Sequence, residues 1–475
     1  MLQAMKKIYL FILCLSAIAA GCYKDKGNYD YVDVPAPVMS GLDSVYHVMS
    51  GDSLIVAPVI TLNSGPNDYS CEWKINVPER ATTDDYFTRD LRIVYGLGAA
   101  RYTVLLKVTD NNTGQKYYYD FIISGQTAFT RGSLVLSGDA GSTSLSFIKP
   151  DGTLQADIYE AINKTVLPGG PRQIVQVRNQ FYMNQITQYW LTFGGNEGGV
   201  LIDANTLGKV RSLKENFYQP MAAARADYFL RNLNGTTTAI INDQLFMGTF
   251  ETAPFGSYYG FFGVAVNGEY KLAPQLLQEL TENGQAVSHF LGFDKEKQRF
   301  VRFLPGTYLD TTYTVFDSAF VPKDLGMDLL YMEKFSDNDI YAFCDSLGKT
   351  MQLRFGLNWR DGRQQFNARE MKKFKGDSLV TATTKWAVSP VGVFYFSGNG
   401  KIYRFNPLNE EIRELNAAFG GKDITLLKIE QNGNVLVVGV EGELHILDTS
   451  VGHFGDLIRK TTGIPGSPTD IFIRE

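Results

Sequence analysis

Two stretches near the end of the chain repeat one another and indicate the fold. Residues 392–396 read GVFYF and lead through a turn to residues 400–406, KIYRFN preceded by Gly400. Residues 433–437 read GNVLV and lead likewise to residues 442–448, GELHILD. The two copies lie 41 and 42 residues apart. A period of ~40–50 residues with four short strands per unit is typical of a β-propeller blade.

The repeat predicts that residues 130–475 form a β-propeller. These 346 residues allow six to eight blades, and we expect about seven because several units carry insertions. Residues 199–203, GVLID, are a weaker copy of the motif. The terminal segment 469–474 is expected to pair with residues 133–136 of the first blade, which would cover edges that otherwise invite aggregation.

Two short helices are expected in the connections between these strands. They are placed at residues 156–162 and at residues 274–280. In the second, Pro274 would suit the first turn of a helix, where its missing N–H costs nothing. The rest of the propeller segment shows almost no helical pattern.

The preceding residues 36–125 predict a separate β-sandwich. Residues 69–75, YSCEWKI, alternate with a period of two and point Trp73 inward. Residues 101–110 form a second strand, which the turn NNTG connects to a partner at residues 117–123. About 90 residues around a central Trp suit an immunoglobulin-like sandwich. The predicted fold class is therefore all-β, with a sandwich followed by a propeller.

The N-terminus has the pattern of a lipoprotein signal. Lys6 and Lys7 precede 13 uncharged residues, 8–20, and small residues lead to Cys22. The apolar run is shorter than the ~20 residues that a bilayer crossing needs. We predict that residues 1–21 are removed. The alternative is an ordinary cleaved signal that leaves the cysteine as a free thiol.

A lipid on Cys22 would anchor the exported protein to a membrane. Residues 22–35 are polar and rich in Tyr and Asp, so we expect a tether. Tyr23, rather than Asp, after the cysteine fits sorting to the outer membrane by analogy with other bacteria. The predicted location is the outer membrane, facing the cell surface.

Composition excludes some classes of partner and cofactor. Removal of the signal takes two lysines from a net charge of −5, which leaves −7. The chain has no basic run, so nucleic acid is not an expected partner. Aromatic residues make up 13% of the sequence, and 46 glycines fit many short strands joined by turns. Cys71 and Cys344 are expected to be buried free thiols, with a disulfide between them as the alternative. No spacing suggests a zinc site, and no metal or cofactor is predicted.

Several motifs together resemble a known family. They are GCYKDKGNYDY at residues 21–31, CEWK at 71–74, VTD at 108–110 and RGSLVLS at 131–137. The chain resembles the PKD-like family lipoproteins of Bacteroidetes. The resemblance implies a surface lipoprotein that assists a TonB-dependent transporter of the SusC type and a SusD-like lipoprotein. It also implies a glycan or peptide ligand without identifying it.

No motif selects a catalytic site. Residues 137–143, SGDAGST, fit the Asp-box of sialidase-like propellers, but this single copy is more simply a polar hairpin. The sequence lacks G-x-S-x-G, and its 50 acidic residues include no pair that a motif marks for glycoside hydrolysis. The four histidines are scattered, and His445 lies within a strand pattern. We therefore expect a non-catalytic protein, with a surface hydrolase as the alternative.

The strongest ligand-binding signal is an aromatic loop at residues 246–262. Gly and Pro interrupt it, so it suits rings presented to a sugar face or a peptide side chain. Tyr258 and Tyr259 are the preferred candidates, and Trp190 and Trp359 are further ones. Phe261 is expected to be core, and core packing is the alternative for every ring. The predicted function is a non-catalytic accessory subunit of a SusC/SusD-type glycan or oligopeptide importer. A structural docking lipoprotein without a ligand is a further alternative.

Overall fold

The structure is a computed structural model. It describes residues 36–474 apart from residues 180–184, 233–234, 250–257, 281–285 and 361–362. The predicted signal peptide, Cys22 and the tether up to residue 35 lie outside the described residues. Within the described part, no helix has the length and apolar character that crossing a bilayer requires.

Strands β1 to β9 make up the first described segment. Five of them form one sheet in the order β2-β9-β8-β5-β6, in which β2 is parallel to β9 and the other pairs are antiparallel. Two small antiparallel sheets pair β1 with β4 and β3 with β7. The bounds are β1 (Val38–Ser40), β2 (Val45–Met49), β3 (Ser53–Val56), β4 (Val59–Thr61), β5 (Tyr69–Val77), β6 (Thr82–Tyr86), β7 (Leu91–Val94), β8 (Arg101–Asp110) and β9 (Lys116–Gln126).

Trp73 lies at the centre of the core that these strands share. Its ring packs edge-on against Phe121 at 6.1 Å, and its indole N–H donates to the carbonyl oxygen of Thr88 at 2.8 Å. Leu54 of β3 and Leu91 of β7 belong to the same core, so a small sheet and the large one bury a common set of side chains. The period-two prediction for β5 is confirmed.

Seven sheets follow one another in the described residues from 132 to 474. Sheets 1 to 7 are numbered in chain order, and their strands are connected mainly to their neighbours in sequence. Sheet 1 contains β10 (Gly132–Gly138), β11 (Thr143–Ile148), β12 (Leu154–Gln155) and β37 (Ser467–Arg474); sheet 2 contains β13 (Pro171–Asn179), β14 (Gln185–Phe193), β15 (Gly199–Asp203) and β16 (Lys209–Ser212); sheet 3 contains β17 (Ala226–Arg231), β18 (Thr237–Ile241) and β19 (Gln244–Met247).

The remaining sheets repeat this pattern. In sheet 5 a fifth strand, β24, adds in parallel to β28. Sheet 4 contains β20 (Leu272–Leu280), β21 (Ala286–Asp294), β22 (Arg299–Leu304) and β23 (Thr307–Asp310); sheet 5 contains β24 (Thr314–Phe316), β25 (Asp328–Ser336), β26 (Asp339–Ser346), β27 (Lys349–Arg360) and β28 (Arg363–Lys373); sheet 6 contains β29 (Trp386–Val388), β30 (Phe394–Gly398), β31 (Lys401–Asn406) and β32 (Glu411–Glu414); sheet 7 contains β33 (Ile424–Glu430), β34 (Val435–Val440), β35 (Glu443–Asp448) and β36 (Asp456–Thr462).

The sheets contact one another in sequence order through one edge strand each, which we call the inner strand. The inner strands are β37, β13, β17, β20, β25, β29 and β33, and β33 contacts β37 in turn. Sheets 5 and 6 meet where Tyr331 stacks on Trp386 at 5.4 Å. Strand β37 pairs with β10, with Leu136 opposite Asp470, as the sequence predicted. The last strand of the described chain therefore completes the first sheet.

Some sequence predictions need correction. Residues 274–280 lie in β20 rather than in a helix, because pairing with β21 overrides the helix propensity of the Leu, Gln and Glu residues there. The expected helix at residues 156–162 is present as α1 (Ile158–Asn163). The weak copy at 199–203 is a third strand, whereas GVFYF and GNVLV contribute second strands, so it is not an equivalent position.

Candidate functional site

Polar side chains connect neighbouring inner strands and position the channel that these strands surround. The side-chain amide of Gln173 on β13 donates a hydrogen bond to the carbonyl oxygen of Phe229 at 3.3 Å. It also accepts one from the backbone N–H of Phe229 at 2.8 Å. Gln275 of β20 makes the same two-way contact with β25, accepting from the N–H of Met332 at 2.7 Å. Asp470 of β37 accepts from the N–H of Ile174 at 2.8 Å. These bonds fix the inner strands relative to one another.

A cavity of about 500 Å³ lies between the inner strands of sheets 3, 4 and 5. We call it the channel cavity. Tyr228 and Arg231 of β17 line it together with Tyr331 and Glu333 of β25. Each of these four side chains is partly buried, so each also keeps some contact with solvent. The cavity therefore combines aromatic, acidic and basic groups.

Glu333 is the carboxyl group inside this cavity. It accepts a hydrogen bond from the Tyr331 hydroxyl at 2.8 Å and one from the N–H of Lys334 at 3.0 Å. Burial raises the pKa of Glu333, although these hydrogen bonds and the charge of Lys334 act in the opposite direction. The Lys334 ammonium itself bonds Asp337 at 3.0 Å and the carbonyl oxygen of Gln278. In the described residues Glu333 thus forms no ion pair.

Two tyrosines stand beside this carboxyl group. Burial, with the negative charges of Glu333 and Asp470, raises the pKa of Tyr228 to about 12. Burial raises the pKa of Tyr331 well above its usual value, and the Glu333 charge adds to the effect. Both phenols therefore keep their protons at neutral pH, and that of Tyr331 is donated to Glu333.

Replacing Glu333 with Gln is expected to raise the melting temperature at neutral pH. Because the pKa is raised in the folded state, folded protein holds the proton more tightly, and stability falls as pH rises from ~4.3 through the raised value. The gain should disappear below pH ~4, where the Glu333 carboxyl is neutral in both states. Melting curves of both proteins between pH 4 and 8 measure this.

Glu414→Gln is the matched control for this effect. Glu414 is exposed on β32, where it pairs with Lys401 at 2.7 Å, so its replacement should not raise the melting temperature at neutral pH. A difference between wild type and Glu333→Gln that is the same at every pH would contradict the assignment of a raised pKa.

A second candidate lies at the outer strand of sheet 2. Tyr258 is 51% exposed, and its ring lies 5.4 Å from Tyr218 and 5.3 Å from Phe261. Tyr218 is 50% exposed, and its hydroxyl donates to Thr249 at 2.9 Å. The Arg211 guanidinium lies 4.2 Å over the Phe261 ring. We call Tyr218, Tyr258 and Phe261 the aromatic patch.

The other predicted ligand-binding rings have different surroundings. Tyr259 packs against the core between sheets 2 and 3, and its hydroxyl donates to the carbonyl oxygen of Arg178 at 2.9 Å. Trp190 is 2% exposed and packs edge-on against Phe229 at 5.7 Å, so it is a core residue and not a surface candidate. Trp359 lies on β27, but its side chain is outside the description.

Sequence reasoning identified one residue of the aromatic patch, Tyr258, and none of the residues that line the channel cavity. Tyr218 lies 40 residues before Tyr258 in the sequence. A β-bridge between the neighbouring residues Phe217 and Phe262 brings the two segments together. Phe261, expected to be core, is only partly buried, whereas Phe262 beside it is fully buried. Glu333 carried no sequence signal, since nothing in a strand pattern marks which residues line a channel.

Other predicted groups have structural roles. Asp139 accepts hydrogen bonds from the N–H groups of Gly141 and Ser142 at 2.7 and 2.9 Å, so the Asp-box segment is a polar turn between β10 and β11. Cys71 and Cys344 are free and buried, and burial raises the pKa of both thiols, that of Cys71 to about 11. His445 is buried beside Glu443 at 2.9 Å. Among the described residues, no group of three or more His, Cys, Asp or Glu is placed to hold a metal ion.

Comparison with known proteins adds a family match at the N-terminus. Residues 22–171 match the PKD-like family. The PKD-like match begins at the predicted lipidation site, covers β1 to β12 and reaches the start of β13. It therefore extends beyond the first nine strands into sheet 1. A search of curated proteins gives no significant match.

Some solved structures are similar to this chain at low sequence identity. One is a quinonprotein alcohol dehydrogenase-like protein from Bacteroides thetaiotaomicron, with 13% identity, a TM-score of 0.43, and coverage of 92% of this chain and 99% of that one. Another is the periplasmic gluconolactonase of Pseudomonas aeruginosa, with 14% identity, a TM-score of 0.45, and coverage of 72% and 98%. The chain is thus all-β, with a PKD-like match and propeller-like structural neighbours.

Proposed function

We propose that this protein is a lipid-anchored, non-catalytic binding subunit of an outer-membrane nutrient importer of the SusC/SusD type. The observation that carries the proposal is the aromatic patch, in which two half-exposed tyrosines and a phenylalanine lie side by side. Large exposed aromatic surfaces in soluble proteins commonly mark binding sites. The signal pattern supports the lipid-anchored part of the proposal, and the PKD-like match supports the resemblance on which the importer part is based.

We infer a division of labour along the chain. Residues 36–125 form an immunoglobulin or PKD-like sandwich that acts as a spacer above the lipid on Cys22. Residues 130–475 form a propeller whose seven blades are sheets 1 to 7. The spacer would hold the propeller away from the membrane, where it can contact an incoming ligand as well as the transporter and its SusD-like lipoprotein. A propeller offers a broad surface of loops and no obligatory chemistry.

The aromatic patch suits a glycan or an oligopeptide. Tyr218 and Tyr258 offer ring faces on which the C–H groups of a sugar or an apolar side chain can pack. Thr249 and Arg211 lie beside these rings and provide a hydroxyl and a cation for polar groups of the same ligand. Ordering a tyrosine side chain when the ligand binds costs little conformational entropy, because the side chain has few rotatable bonds.

Loss of the two exposed tyrosines is expected to abolish most of the ligand affinity. Replacing Tyr218 and Tyr258 with Ala should weaken binding of any glycan or peptide found on arrays by ~tenfold or more, equivalent to 1.4 kcal/mol. Titration calorimetry of the purified protein measures the effect. Tyr118→Ala is the control, because Tyr118 is exposed on β9, away from the patch.

Unchanged affinity in the double variant would show that the ligand binds elsewhere. Turnover of an arrayed substrate would instead favour the alternative function, a surface hydrolase. Binding to the transporter without any ligand would favour a structural docking role.

A further inference from the structure

The channel cavity contains a carboxyl group, that of Glu333, which forms no ion pair among the described residues although the Lys334 charge partly offsets its own. Asp470 of the inner strand β37 pairs with Lys428 at 3.1 Å and accepts a hydrogen bond from the N–H of Ile174. Glu333 has a tyrosine hydroxyl and one backbone N–H, but no cation in an ion pair. A carboxylate removed from water without a counter-charge is costly to keep. The structure therefore retains an unfavourable group at a place where a positive ligand would relieve it.

The walls around Glu333 suit a positive group. Tyr331 donates a hydrogen bond to Glu333, and Tyr228 lines the same cavity. Aromatic faces attract organic cations, and the attraction strengthens when the cation is withdrawn from water. Together, the carboxyl group and the two rings would surround a cation on several sides.

The size and access of the cavity limit what can bind. A cavity of about 500 Å³ is in the range of small-molecule sites. Tyr228, Tyr331 and Glu333 are each only partly buried, so part of each side chain is left free to contact a ligand. Arg231 and Lys334 also line the cavity, and their positive charges oppose a divalent ion about twice as strongly as a singly charged one; a divalent ion in addition needs several oxygen ligands. A singly charged organic cation fits these conditions better than a metal.

We propose that the channel cavity binds a primary ammonium group, held by the Glu333 carboxylate and faced by Tyr228 and Tyr331. Two sources carry this chemistry, namely the amines of a short peptide and the amine of an amino sugar. The site is separate from the aromatic patch, so the inference does not rest on the proposed import function. Either one can fail while the other holds.

Acetylated and free amines provide the direct test. Titration calorimetry of the mature protein would use glycyl-lysyl-glycine against its form acetylated at both the α-amine and the lysine ε-amine, and glucosamine against N-acetylglucosamine. We expect at least one free amine to bind and its acetylated form to bind at least ~tenfold more weakly, because acetylation removes the charge. The arm that binds, peptide or sugar, identifies the source of the ammonium group.

Three variants tie the binding to the cavity. Glu333→Gln keeps the shape of the side chain and should weaken binding at least ~tenfold, and Tyr228→Ala should weaken it several-fold while keeping the carboxylate. Glu414→Gln removes an exposed negative charge on β32 and should leave binding unchanged. The absence of binding by both free amines would overturn the proposal. Equal binding by the acetylated forms, or binding that neither cavity variant weakens, would also overturn it.

Discussion

The Ile471→Ala variant is expected to lose about 2–5 kcal/mol of the free energy of unfolding, the usual cost of truncating a buried Ile. Ile471 is 1% exposed on β37, where it packs with residues of sheets 1 and 7. Its strand is the last of the described chain and pairs with β10 at the beginning of the ring. A cavity there weakens the joint that holds the two ends of the ring together.

Ile458→Ala is the matched control for this prediction. Ile458 is 57% exposed on the outer strand β36, so its truncation should change stability by less than ~0.5 kcal/mol. Deleting residues 469–475 should cost on the order of 5 kcal/mol or more, since it removes Ile471, the Asp470 bonds and most of β37. Chemical denaturation measures all three. Wild-type stability of the deletion variant would contradict closure of the ring by β37.

The Cys22→Ala variant is expected to leave the membrane fraction or to accumulate as an unprocessed precursor. A lipid on Cys22 is the membrane anchor that the sequence predicts. Each CH₂ group of its acyl chains that is buried in the bilayer contributes about 0.8 kcal/mol of membrane-binding free energy. Removing the attachment point should therefore change the fractionation almost completely. Cell fractionation followed by mass measurement of the protein gives the result.

Cys14→Ala serves as the control for lipid anchoring. Cys14 lies within the predicted signal and would be removed with it, so this variant should fractionate as wild type. A Cys22→Ala protein that stays in the membrane with the normal mature mass would refute the anchor. Protease shaving of whole cells would then show separately whether the protein faces outward.

The features that the sequence predicted correctly have a strong local periodicity. Alternation in β5 identified Trp73 as core, and the repeat at residues 392–406 and 433–448 corresponds to β30, β31, β34 and β35. The pairing of β37 with β10 was predictable because open strand edges invite aggregation. A terminal strand without a neighbour in sequence is therefore expected to pair with the open edge of the first sheet. In each case the pattern lies within a short stretch of chain.

The features that the sequence missed depend on contacts between distant segments. Residues 274–280 have good helix formers, but pairing with β21 makes them a strand. Trp190 was a surface candidate because a sequence does not show that sheet 3 covers it with Phe229. Tyr228 and Glu333 come from strands about 100 residues apart, and only the arrangement of the inner strands brings them to one cavity.

Purification of the intact protein from native outer membranes, after mild cross-linking, is the most direct test of the proposed function. The proposal predicts that a TonB-dependent transporter of the SusC type and a SusD-like lipoprotein are recovered with the wild-type protein. Both should be absent from a parallel purification of the Cys22→Ala variant, which would lack the anchor. The purification conditions must keep the transporter and its SusD-like lipoprotein together. Recovery of the wild-type protein without either component under these conditions would contradict the proposed function.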